Sequence, residues 1–224
     1  MQPQAQGKAV LFDFDGTLGR SLPSWTHAYQ EALREVGVEL EVRAVRAACF
    51  SMRGTDVQRE FAIPDLAAFS EGVWRRMLSN MPSVEMYPHL AETLNDLALS
   101  SFRLAVVTNS RRSHVAPVLE RWAVGGMFSS LVAIDDVKKG KPHPEAIERA
   151  LEELRVPPAR AWMVGDSPAD IEAGRAAGVK TVAFSPEENH EYFRTTDLRN
   201  LNPTHVVHSL AELKRLVLEL DAGE

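Results

Sequence analysis

From residue 90 onward, short apolar runs alternate with amphipathic helical stretches, and this rhythm leaves few folds open. Residues 104–107, 131–134, 161–164 and 180–184 are apolar, too short for helices and bounded by polar or Gly residues, so they read as buried strands. Between them, residues 90–99, 115–122, 144–154 and 169–177 carry helical periodicity, the last stopped by Gly178. A short strand at 205–207 and a helix over 210–220 close the chain. Buried strands separated by helices require a parallel sheet covered on both faces. Residues 9–12 form one more such strand, ending near Phe14. The expected fold class is therefore α/β, a Rossmann-like doubly wound parallel sheet.

The stretch 18–86 breaks the rhythm. Trp25, Tyr29 and Leu33 recur at four-residue steps, Val45, Cys49 and Met52 suggest a second helix, and Val73, Trp74, Met77 and Leu78 another. This is read as an inserted helical cap over 18–86, with 1–17 and 87–224 forming the core. Hinges are expected near residues 16–19 and 86–88.

In an open parallel sheet, ligands bind beyond the carboxyl ends of the strands. The residues expected there are Asp13-Phe14-Asp15-Gly16-Thr17, Thr108-Asn109-Ser110, Lys141-Pro142, and Gly165-Asp166 with Asp170. Asp13, Asp15, Asp166 and Asp170 sum to -4 when ionised. A dication together with Lys141 supplies +3, and one protonated carboxyl removes the remainder, leaving an acid able to give and take a proton. Oxygen ligands point to a hard cation, most simply Mg2+. Thr108, the N–H groups of Asn109 and Ser110, and Lys141 suit a phosphate. Ser167 followed three residues later by Asp170 is also a helix-capping signal.

These four segments resemble, in order and spacing, the signatures of the haloacid dehalogenase superfamily of phosphohydrolases, within its phosphoglycolate phosphatase and β-phosphoglucomutase branch with a small helical cap. The resemblance implies Asp13 as nucleophile, forming an aspartyl-phosphate, and Asp15 as general acid and base. It implies Mg2+ held by Asp13, the carbonyl of Asp15 and Asp166, with Asp170 either a further ligand or a partner of the ligands, and phosphate held by Thr108, Asn109 and Lys141. Arg53, in Met52-Arg53-Gly54-Thr55, resembles a cap arginine for a second anionic group of the substrate. Arg20 stands where the family usually has an acidic residue.

The function expected is Mg2+-dependent hydrolysis of small phosphate monoesters. The presence of Asp15 disfavours carbon–halogen chemistry. The absence of lysine from 18 to 86 disfavours phosphonoacetaldehyde hydrolysis by a cap Schiff base. A phosphosugar mutase is the alternative, although Trp25 occupies the position of its cap histidine, with His27 two places on. A phospho-acceptor signalling module shares Asp, Thr, Lys and Mg2+, but such modules are half this length and lack a cap.

Composition sets the partners. A net charge of -6 argues against nucleic acid; the small phosphorylated metabolite expected as partner is what the resemblance implies. No apolar run approaches membrane-spanning length, and the first ten residues show no secretory leader. A lone cysteine, Cys49, fits a cytoplasmic protein. Oligomeric state leaves no mark on the sequence.

Overall fold

The computed structural model describes residues 7–51, 54–193 and 195–223. Six parallel strands form one sheet in the order β3-β2-β1-β4-β5-β6: β1 (Lys8–Phe12), β2 (Phe102–Val107), β3 (Ser130–Val132), β4 (Ala161–Gly165), β5 (Lys180–Phe184) and β6 (His205–Val207). The order runs outward in both directions from β1 and β4, so the crevice between their carboxyl ends is the topological switch point. Register is tight there: Phe12 lies opposite Val106 and Val164.

Strand residues alternate between the two faces. Ala9, Leu11, Ala105, Val107, Ala161 and Met163 pack with α7 (Glu145–Leu154) and with Ala173 of α8 (Pro168–Ala176). The other face receives α5 (Leu90–Leu99), which packs on β2 and against α10 (Leu210–Ala222). Burial of near-continuous apolar strands on both faces is why they carry no polar alternation. α6 (Arg112–Arg121) follows β2, and the short α9 (Thr195–Asn200), which has no clear sequence signature, precedes β6.

The strand expected over 131–134 ends earlier. Asp136 accepts the Ala133 N–H at 2.9 Å and pairs with Arg112, which turns residues 134–136 into a 3-10 helix.

The chain divides into two compact units, Met1–Arg20 with Met86–Glu224, and Ser21–Glu85. The second is all helical: α1 (Leu22–Glu35), α2 (Val42–Ser51), α3 (Gly54–Glu60) and α4 (Leu66–Asn80). The Trp25 and Trp74 rings meet edge to face at 5.1 Å, joining α1 to α4, and Tyr29 meets Phe50 of α2 at 6.0 Å. Asp65 caps α4 by accepting the Ala68 N–H. Residues 18–20 belong to the first unit because Gly19 bridges both Asp15 and Met86, and the Tyr87 N–H donates to Leu18 O at 3.0 Å.

Candidate active site

β1 does not stop abruptly. The Asp13 N–H still donates to Val164 O of β4 at 2.9 Å, carrying Asp13 to the switch point. The chain then turns sharply, with the Leu18 and Gly19 N–H groups both donating to Phe14 O. Phe14 is buried and stacks on Trp122, while Asp15 lies near enough to Asp13 to repel its charge. Gly16 sits at φ +73°, and a Cβ there would meet an Asp166 carboxylate oxygen at 2.1 Å. The turn therefore needs glycine both for its conformation and for close approach to β4.

Lys141 is the hub. Its ammonium donates to Asp13 Oδ1 at 2.7 Å, Asp170 Oδ1 at 2.6 Å and Val107 O at 2.7 Å, using all three protons. Its side chain is 2% exposed. Burial works against its charge, but Asp13 and Asp170 outweigh that and hold its pKa above the ordinary lysine value. Asn109 fixes the lysine's backbone with two bonds of 2.8 Å, donating to Lys141 O and accepting from its N–H. The cis peptide joining Lys141 to Pro142 lies in the same turn.

Asp170 accepts through Oδ2 from the Ser167 N–H at 3.0 Å and from its hydroxyl at 2.6 Å. One carboxylate thus organises the start of α8 and pairs with Lys141, so the capping signal and a site position coexist. Oxygens of Asp13, Asp166 and Asp170 lie within 4.8 Å of one another, all three residues being buried. Burial first, then repulsion from Asp170 and Asp15, raises the Asp13 pKa to about 7, against the lowering pull of Lys141. Asp166 is likewise raised, by burial and by Asp13 and Asp170.

Three carboxylates and one ammonium leave a formal charge of -2 in a protein-lined site. That excess, together with a set of hard oxygen donors, fits a divalent cation such as Mg2+.

Thr108 is buried at the end of β2, where its N–H donates to Val132 O. Its hydroxyl accepts the Ser110 N–H at 3.0 Å, so that N–H is already engaged. The Ser110 hydroxyl donates to Asp15 Oδ2, a contact the sequence does not suggest. Asp15 lies outside the cluster of Asp13, Asp166 and Asp170 carboxylates. Asn109 is an exposed residue whose amide holds the lysine turn. Arg53 lies outside the described residues. His27 is exposed and Trp25 buried on α1.

A second unexpected residue is Asn189, in the turn Glu187–Glu191 after β5. It is 3% exposed and donates to Gly16 O at 2.8 Å and Asp166 Oδ2 at 3.2 Å. The signal that would have found it is positional, since the carboxyl end of the fifth strand faces the same edge as those of the other five.

A doubly wound parallel sheet with buried aspartates and a lysine at its switch point defines an α/β enzyme core. The family model "Haloacid dehalogenase-like hydrolase" matches residues 10–184. The chain belongs to that family, and its relatives mark it as a phosphatase. It is 31% identical to a phosphoglycolate phosphatase of Pseudomonas savastanoi pv. phaseolicola, over 96% of this chain and 81% of that one. It is 30% identical to that of Vibrio vulnificus, over 96% and 98%. A solved structure from Lactobacillus plantarum shares the fold at TM-score 0.82 and 24% identity, covering 94% of this chain and 99% of that one. No helix among the described residues is long and apolar enough to cross a membrane.

Proposed function

We propose that the protein hydrolyses small phosphate monoesters, phosphoglycolate foremost, through an aspartyl-phosphate on Asp13 with Mg2+ bound. The observation carrying this reading is the buried Asp13–Lys141–Asp170 contact set beside Asp166. The relatives named above support the choice of substrate.

Asp13 attacks phosphorus, and the leaving oxygen departs with a proton from Asp15. Asp15 then takes a proton from water as that water attacks the same phosphorus, releasing phosphate and restoring Asp13. The Ser110 hydroxyl orients Asp15 for both transfers. Lys141, held against Asp13 and Asp170, supplies positive charge beside the phosphoryl oxygens, Thr108 offers its hydroxyl to one of them, and Asn109 keeps the lysine turn in register. Asp13, Asp166, Asp170 and the carbonyl of Asp15 would hold the cation. When bound, it supplies positive charge against the phosphoryl oxygens and favours the ionised nucleophile. The resemblance assigns the reading of the leaving group to the helical insert and, within it, the carboxylate or phosphate of a small anionic substrate to Arg53.

The test is phosphate release from phosphoglycolate, sugar phosphates, nucleotides and pyrophosphate, with Mg2+ and with EDTA. Preferred, Mg2+-dependent release from phosphoglycolate is expected. An isomerised product with no net phosphate release would identify a mutase instead and refute the hydrolase reading.

A further inference from the structure

Outside the residues that meet the substrate, Asn189 is tied to the site by a chain of buried hydrogen bonds. Its carboxamide has three partners: Gly16 O, Asp166 Oδ2 and the hydroxyl of Tyr87. Gly16 O can only accept, so the NH2 group must face it, and Asp166 Oδ2 lies within reach of the same group. The carbonyl oxygen Oδ1 then faces Tyr87, whose O–H donates to it at 2.6 Å. Tyr87 is 3% exposed, and its ring meets Phe184 edge to face at 5.1 Å. Burial foremost, with repulsion from Asp166 and Glu188, raises the phenol pKa, so the hydroxyl remains a donor.

The backbone around Asn189 is equally fixed. Its N–H donates to Pro186 O at 3.0 Å, and its carbonyl accepts from the N–H groups of Tyr192 and Phe193 at 2.9 Å each. Asn189 thus enters the switch point as a rigid strut joining the turn after β1 to the carboxylate after β4. The Gly16 turn and Asp166 already approach so closely that no Cβ fits between them.

We infer that Asn189, oriented by Tyr87, is a positioning residue that presents the Asp166 carboxylate to the divalent cation and fixes the Gly16 turn beside it. This rests on the cation-dependent reading above. An amide N–H to one carboxylate oxygen sets the rotation of that carboxylate and leaves its other oxygen to the cation. Partners of this kind typically contribute about ten- to a hundred-fold in metal affinity.

The experiment is isothermal titration of the full-length protein with Mg2+ alone, comparing wild type, Asn189→Ala and Tyr87→Phe. Thermal melting in EDTA runs alongside. Expected are a Kd for Mg2+ weaker by about ten-fold or more in Asn189→Ala and a smaller weakening in Tyr87→Phe, which keeps the ring against Phe184. In turnover, the Mg2+ concentration for half-maximal rate rises in both variants, while kcat recovers at saturating Mg2+. A purely structural role would lower the melting temperature in EDTA and leave the Mg2+ Kd unchanged. If Asn189→Ala does not fold, Tyr87→Phe decides. Wild-type Mg2+ affinity in the folded variants overturns the inference alone; a wild type that binds no Mg2+ overturns the cation-dependent reading with it.

Discussion

The two edges of the sheet use the same residue types to opposite effect. At the carboxyl edge, Lys141 meets Asp13 and Asp170 with side chains between 0% and 10% exposed. At the amino edge, Lys8 pairs with Asp221 at 18% and 27% exposure, and Lys180 lies over the Trp162 ring at 4.7 Å with Arg160 nearby. The first set carries excess negative charge in a medium where water cannot screen it. The second carries excess positive charge, which solvent and salt disperse. Among the described residues, the buried imbalance is the one suited to a divalent counter-ion.

Substitutions at the two edges should therefore differ by orders of magnitude. Asp13→Asn should lower turnover by about 10⁴-fold or more, since it removes the proposed nucleophile, while the melting temperature stays close to wild type. Retained phosphatase activity would break the comparison at its centre. Lys141→Met leaves Asp13 and Asp170 buried without their cation and should cost about 3–5 kcal/mol in urea unfolding, besides activity. Gly16→Ala should cost about 1–3 kcal/mol and weaken Mg2+ binding, because φ +73° and the Asp166 overlap act together. Mg2+ binding unchanged in that variant would mean the turn yields without disturbing Asp166.

A gentler test needs no substitution. Asp13 holds its proton up to about 7 in the folded chain, against 3.8 ordinarily. Its contribution therefore favours the fold fully below about pH 4 and is lost as pH rises through 7. In EDTA, melting temperature should fall across that window, and Mg2+ should flatten the fall. A flat profile in EDTA would show that Asp13 ionises freely. The smallest effects belong to the amino edge, where Lys8→Ala should cost below about 1 kcal/mol, shrink further in salt and leave kcat unchanged.

Much of this is legible in the chain because it is local. Apolar strands, strand-end aspartates and a lysine pinned by Pro142 are all patterns within a few residues. What escapes depends on distant pairing. Ser110 reaches Asp15 across 95 positions, and Asn189 reaches Gly16 across 173. The sequence suggests Asn109 as a backbone donor, yet its amide holds the lysine turn, which only the approach of two loops reveals. The early end of β3 likewise depends on Arg112 and Asp136, 24 positions apart. The reading at 17/18 and 86/87 differs from the observed unit bounds because Gly19 bridges Met86.

That bridge has a consequence for how such a chain can change. Gly19 and Met86 are neighbours across one pair of backbones, so residues 21–85 leave and re-enter the core at a single point. To the sheet, everything between is one closed loop, and loop closure grows only slowly with length. The helical segment is thus a cassette. It can be lengthened, exchanged or redesigned while Asp13, Lys141 and Asp166 keep their places.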